Sequence, residues 1–223
     1  SAEVIYEGQA TDLSISARHD DAKGFERDLI RRAIAFYDHE SFLRTKDGRL
    51  HKLEVPTHAE TRLHREWLFV QPRLAWTVGD RTYAGGSLLV LKLEAFLAGK
   101  RDFAVVFQPT LHRTLAGFSA TRHHVLLNLL EDVKSSLAVA TPGKGGWAVQ
   151  PLQGAHQFST ASASAVDGDE SDAYFMTVSG YLAPTSLSMG TLGRGKAEKL
   201  KAMPAYFEPE GLEVSQHFAT SKD

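Results

Sequence analysis

The stretch from Leu111 to Leu152, LHRTLAGFSATRHHVLLNLLEDVKSSLAVATPGKGGWAVQPL, constrains the fold more than any other part of the chain, because it fits four short strands and three compact turns into one continuous segment. Polar or φ-flexible residues that let a chain reverse stand at Ser119-Ala120-Thr121-Arg122, at Glu131-Asp132 and at Thr141-Pro142-Gly143-Lys144-Gly145-Gly146. Between the breaks, Val133, Ser135, Leu137 and Val139 alternate with Lys134, Ser136, Ala138 and Ala140, the period of two of a strand with one face more buried than the other. Val125-Leu126-Leu127-Asn128-Leu129-Leu130 is instead almost continuously apolar, which suits a strand covered on both faces. A four-stranded sheet sandwiched between similar sheets meets both demands, and that is a blade of a β-propeller.

The same organisation extends along the chain. Val4-Ile5-Tyr6 and Leu13-Ser14-Ile15-Ser16 are short strand candidates, followed by an acidic loop from Arg18 to Gly24. Between Phe25 and Tyr37 two periods compete: Phe25, Leu29, Ala33 and Tyr37 fit a helix, while Ile30, Arg32, Ile34 and Phe36 fit one strand face. A strand over Asp28 to Tyr37 is expected despite the better helical period. Ser41 to Thr45 and Arg49 to Val55 then form a hairpin about Lys46-Asp47-Gly48 and complete a blade. Another blade is expected from Trp67 to Val70, Leu74 to Thr77, Ser87 to Leu93 and Phe103 to Phe107, with one helical turn over Glu94 to Gly99. Phe158 to Val166, Ala173 to Ser179 and Thr185 to Met189 supply three strands of a further blade, turning at Asp167 to Asp172. The units recur roughly every 40 to 47 residues, within the range of four-stranded blades. The expected fold is all-β: a partial β-propeller of about four four-stranded antiparallel blades over residues 1–203, fewer than a typical closed ring. A C-terminal strand follows within 204–223, where Leu212, Val214, Gln216 and Phe218 alternate with Glu213, Ser215, His217 and Ala219.

At 223 residues and 43% hydrophobic composition, the chain has the apolar material for a sizeable core. A formal net charge of -2 provides no positive field to attract nucleic acid or an anionic membrane, and neither is expected as a partner. There is no cysteine, which excludes disulfides, thiol nucleophiles and thiolate metal sites and leaves a soluble chain either cytoplasmic or periplasmic. No apolar run approaches the roughly 18 residues of a membrane span, and the N-terminus does not read as a signal peptide. Ser1-Ala2 reads as an appended dipeptide, with the natural chain expected to begin upstream.

Two segments carry a resemblance. Val214 to Asp223, ending Thr220-Ser221-Lys222-Asp223, resembles the crossover of the prolyl oligopeptidase family, where the chain leaves the propeller and enters the α/β-hydrolase domain through a Ser-Lys-Asp-Gly-Thr turn. Tyr174-Phe175-Met176-Thr177-Val178-Ser179-Gly180-Tyr181-Leu182-Ala183-Pro184-Thr185 resembles the last propeller blade of that family. The resemblance implies the later part of a seven-bladed propeller plus the first hydrolase strand of a larger serine peptidase. It also implies a propeller that lies over the active site and admits peptides rather than folded proteins. The implied partners are the parent enzyme's own hydrolase domain and its peptide substrates. The family's serine, aspartate and histidine would all follow Asp223, so no triad role falls on any residue present. The alternative is a free-standing propeller that acts as a protein-interaction module. An open ring would leave terminal blade faces uncovered, so homodimers through exposed blades or the Leu212 to Thr220 strand are expected.

The remaining motifs favour structural readings, and no catalytic, cofactor-binding or metal residue is assigned. The nucleophile elbow G-x-S-x-G is missing. The nearest phrase, Gly117-Phe118-Ser119-Ala120-Thr121 beside His123 and His124, reads as a strand-to-strand turn. Gly190-Thr191-Leu192-Gly193-Arg194-Gly195-Lys196-Ala197 matches phosphate-loop spacing and precedes a stretch, Ala197 to Lys201, that could be helical. Ala197, however, stands where a hydroxyl should meet Mg²⁺. Asp167, Asp169 and Ser171 are spaced like a calcium loop, but Asp172 replaces its glycine and Val178 its glutamate. His58 to His64 lacks zinc-helix spacing, and Trp67, Trp76 and Trp147 read as blade packing.

Overall fold

Four four-stranded antiparallel sheets carry the chain in the computed structural model, which describes residues 3–45, 47–154 and 158–220. The chain divides into two compact units, Ser1–Pro109 and Thr110–Asp223.

In the first unit, β1 (Ser14–Asp20), β2 (Arg27–Ala33), β3 (His39–Arg44) and β4 (Leu50–Lys52) pair in sequential order. The contest at Phe25 to Tyr37 resolves as a strand because β2 is laddered on both sides, to β1 from Arg27 to Ala33 and to β3 from Asp28 to Ala33. A helix would satisfy the same backbone groups internally but leave β1 and β3 unpaired. The strand ends earlier than expected. Ile34 and Ala35 both donate to the Asp38 carbonyl, at 2.9 and 3.1 Å, and close a turn. Arg18 to Asp20, read as loop, complete β1, whereas Val4-Ile5-Tyr6 forms no strand and Tyr6 instead packs on Phe42. Lys46, in the expected β3–β4 turn, lies outside the described residues.

The second sheet of this unit contains β5 (Ala59–His64) and β6 (Trp67–Pro72). A separate hairpin, β7 (Trp76–Val78) and β8 (Arg81–Tyr83), interrupts it before β9 (Leu88–Lys92), helix α1 (Leu93–Leu97) and β10 (Ala104–Phe107). Leu74 to Thr77 were expected in the sheet, but β5 takes that place. β5 was hidden because Glu60, Arg62 and His64 interrupt any apolar run. The hairpin packs over the core, with Trp76 and Tyr83 5.3 and 6.0 Å from the Phe103 ring. α1 is followed by Gly99 at φ 87°, the left-handed exit expected at a helix end. Leu43 and Leu53 from the first sheet join Leu68, Val70, Leu89, Phe96 and Phe103 from the second in one buried cluster.

In the second unit, β11 (Arg113–Ala120), β12 (Val125–Glu131), β13 (Lys134–Gly143) and β14 (Gly146–Pro151) form the blade read at Leu111 to Leu152, again in sequential order. Val125, Leu126, Leu127 and Leu129 are each at most 2% exposed, as a doubly covered strand requires. Two turns differ. Thr141 and Pro142 extend β13, paired with Ala148 and Trp147. Val133 leaves the buried face and forms a two-residue reversal with Asp132, both at positive φ (46° and 68°). The last sheet is β15 (Ser159–Ala165), β16 (Ala173–Gly180), β17 (Ser186–Thr191) and β18 (Glu198–Ala202). β18 supplies the fourth strand missing from the sequence pattern, and it corrects the helical expectation at Ala197 to Lys201. Residues 212–220 are not a strand, because no ladder pairs them within the described residues. Gln216 Nε2 instead donates to the Asp132 carbonyl at 2.8 Å. The final Ser221-Lys222-Asp223 lies outside the described residues. The fold is all-β and built from propeller-type blades, a partial β-propeller.

Candidate functional site

Sequential order within an antiparallel sheet assigns every turn to one of two ends. Turns joining the first to the second and the third to the fourth strand lie at one end. The turn joining the second to the third lies at the other, where the fourth strand also leaves, and we call this the exit end. The two ends differ in chemistry. At exit ends of the first unit, the Ile34 to Asp38 turn presents Phe36 at 83% exposure and Tyr37 beside it, and the insertion after β6 presents Leu74 at 64%. At exit ends of the second unit, Val133 is 86% exposed and Tyr181 80%. Leu111, Tyr206 and Phe207 are also exposed on the segments that enter and leave its sheets at that end. The opposite ends carry Asp20 to Lys23, Thr121 to His124, Lys144, Asp167 to Glu170 and Arg194 to Lys196, and no large apolar residue in those turns is more than half exposed among the described residues.

The exit end of the last blade is also hollowed. Tyr181 to Pro184, Met203 and Ala205 border both a cleft of about 710 Å³ and an adjoining one of about 260 Å³. Phe158 and Val178 line the larger, and Tyr206 and Phe207 the smaller. The Tyr37 ring is held in place by Arg73, whose guanidinium lies 3.6 Å from its centroid, and by Phe36 edge-on at 4.6 Å. An exposed aromatic pair packed in this way suits docking against another surface.

The residues singled out from the sequence at the other end hold the blades together. Ser119 Oγ accepts the Ala165 N–H at 3.0 Å. His123 Nδ1 lies 2.7 Å from Asp172 Oδ2, while Asp172 Oδ1 accepts from the His123 N–H and from Thr121 Oγ1, both at 2.8 Å. Burial opposes ionisation of Asp172, but the hydrogen bonds from His123 and Thr121 outweigh it and hold the carboxyl below the ordinary carboxylate range. His124 Nδ1 pairs with Thr141 Oγ1 at 2.7 Å. Asn128 was not expected to matter, yet its side chain reaches the free edge of β15. Nδ2 donates to the Ala163 carbonyl at 3.1 Å, and Oδ1 accepts the Ala163 N–H at 2.8 Å. The Gly190 to Ala197 stretch ends β17 and leads into antiparallel β18, so it lacks the following helix that would cradle a phosphate. Asp167 Oδ1 accepts from the N–H groups of Asp169 and Glu170, at 3.0 and 3.1 Å, and so caps its own turn. Among the described residues no group of three or more His, Asp or Glu side chains is placed to hold a metal ion. Nor is any helix among them long and apolar enough to cross a membrane.

No family model matches the chain. A curated relative, an uncharacterised peptidase of Sinorhizobium fredii, is 34% identical over 151 residues, covering 66% of this chain but only 20% of its own length. A post-proline cleaving enzyme from Rickettsia typhi is similar in structure over 91% of this chain and 30% of its own, with TM-score 0.78 and 18% identity. A prolyl endopeptidase matches over 99% of this chain and 31% of its own, with TM-score 0.72 and 16% identity. Oligopeptidase B of Trypanosoma brucei matches over 90% and 29%, with TM-score 0.65 and 14% identity. The chain spans under a third of each of these solved structures.

Proposed function

We propose that this chain, whose fold is that of the propeller portion of prolyl-oligopeptidase-type peptidases, is the noncatalytic propeller part of such a serine peptidase. In this reading it restricts access to the active site, so that peptides enter and folded proteins do not. The observation that carries the reading is the polarity of the blade ends. Charged turns lie at one end, and exposed aromatic tips with a hollowed surface lie at the other, where the fourth strand of each blade releases the chain. In each unit the exit ends are then what meets the hydrolase domain, and the chemistry resides in that domain. The resemblance at Tyr174 to Thr185 supports this, since that segment ends in Tyr181 to Thr185, the exit-end loop of the last blade.

Purified alone, the chain is expected to hydrolyse no proline-containing peptide. Joined to a hydrolase domain of this type, it is expected to cleave short peptides and spare folded proteins. Peptide cleavage by the isolated chain, retained through independent purifications, would refute the reading. The isolated chain is also expected to self-associate through its uncovered apolar surface, which light scattering at micromolar concentration tests directly.

A further inference from the structure

In the first unit, the seam between its two four-stranded sheets contains a buried imidazole set between an arginine of one sheet and a glutamate of the other. His39, the first residue of β3, is 6% exposed. Its Nδ1 lies 3.1 Å from Arg31 Nη2 on β2. A guanidinium only donates, so Nδ1 must be an acceptor, the imidazole neutral and the proton on Nε2. Nε2 is buried, with the Ala59 backbone beside it and Glu60 Oε2 of β5 facing it at 3.9 Å. The same Arg31 Nη2 donates to Glu60 Oε1 at 3.0 Å, so arginine, histidine and glutamate form a triangle that joins one blade to the next. Ser41 Oγ and Thr61 Oγ1, 2.9 Å apart, close the seam beside it. The His39 N–H donates to the Thr57 carbonyl at 2.9 Å and ties β3 to the connection that leads into β5.

We infer that this triangle is a proton-driven latch: a proton on His39 Nδ1 repels Arg31, Glu60 passes from Arg31 to His39, and the buried charge with an Nδ1–H left without an acceptor loosens the seam between the two blades. Once protonated, Nδ1 becomes a donor pointing at a cation, and the two groups repel. Nε2–H, now on a charged ring, draws Glu60 across the present 3.9 Å gap. Arg31 is half-exposed and can turn to water. The groups around the ring set the balance. Burial first, then Arg31, disfavour the charged imidazole, while Glu60, the Ala59 backbone and Asp38 favour it, and the net effect holds His39 below the ordinary histidine value. The latch is therefore closed at neutral pH and opens as pH falls below 6.5. The inference concerns the first unit alone and stands whether or not the peptidase reading does.

Two variants of the whole chain test it. Glutamine matches the neutral ring, accepting through Oε1 and donating through Nε2, and it cannot take the proton. NMR should show the His39 imidazole titrating below 6.5. The protection factor of the residue-39 amide, corrected for intrinsic exchange, should fall at least tenfold between pH 7.5 and pH 5 in the native sequence and stay flat in His39→Gln. In Glu60→Gln, which removes the receiving carboxylate but keeps the fold's polar contacts, the His39 midpoint should move further down. A His39 midpoint at or above 6.5, an equal loss of protection in His39→Gln, or a midpoint unmoved in Glu60→Gln overturns the latch.

Discussion

Truncating Asn128 to alanine isolates the contribution of one side chain to a blade seam. In the native chain the carboxamide satisfies both backbone groups of Ala163 on the open edge of β15. Ala163 is 3% exposed, so water cannot replace what the truncation removes. Two hydrogen bonds are lost, and a buried N–H and C=O are left without partners, which together cost about 2–4 kcal/mol. With a urea m-value of about 2 kcal/mol/M, the unfolding midpoint of the second unit should fall by about 1–2 M. Amide exchange at Ala163 should lose protection in step. Asn128→Asp separates the two bonds. Ionised, it still accepts from the Ala163 N–H but sets a carboxylate against the Ala163 carbonyl; protonated, it can donate to that carbonyl. Its folded-state pKa should therefore rise, and the variant should recover stability as pH falls from 7 towards 5. A loss below about 0.5 kcal/mol in Asn128→Ala, where a typical hydrogen bond alone contributes more, or no pH dependence in Asn128→Asp, would show that the seam is held by apolar packing instead.

Other positions give independent checks. A Cβ on Gly190 would sit 2.7 Å from the Tyr174 ring, which is 2% exposed and cannot swing aside, so Gly190→Ala should cost about 1–3 kcal/mol in urea unfolding. Val133 is a β-branched residue at φ 68° in a two-residue turn, so Val133→Gly should stabilise the chain by about 1 kcal/mol, read as a higher thermal midpoint. The folded pKa of Asp172 lies below its ordinary 3.8. Its contribution is therefore present above 3.8 and lost as pH falls through the folded value, and Asp172→Asn should flatten that part of the acid-unfolding curve.

What could be read from the sequence followed from how apolar side chains are spaced. The blade at Leu111 to Leu152 was legible because β12 is apolar throughout and its turns carry Gly, Pro and Asp. β2 was legible only through its neighbours, since its own period pointed to a helix. β5 and β18, rich in Glu, Arg and Lys, were invisible to any hydrophobic pattern because each lies at the edge of its sheet and buries little. The β7–β8 insertion hid for a different reason: Trp76 resembles a blade residue until Tyr83 and Phe103 show that it packs across a sheet rather than within one. The seams were illegible because they depend on distance in three dimensions. Nothing in the sequence links Asn128 to Ala163 or Arg31 to Glu60 before the sheets stack. His123 drew notice as a candidate for chemistry, and its hydrogen bonds instead join blades.

The exit ends pose a question that blade packing does not answer. Turn tips bury almost nothing in a propeller, and the residues that form turns most easily are Gly, Asn, Asp and Pro. The opposite ends follow that rule, as Gly143 to Gly146 and Asp167 to Gly168 show. At the exit ends the chain instead places Phe36 and Tyr37 on a tight turn, Val133 at positive φ and Tyr181 in the open. Each choice costs local stability or solubility and returns nothing to the core, because the blade faces already bury Leu126, Leu127, Leu68 and Leu89 without them. Apolar tips that the fold does not need support a role in contact with something outside it. Within each unit they recur at the exit end of both four-stranded sheets, as the proposed contact with a hydrolase domain requires.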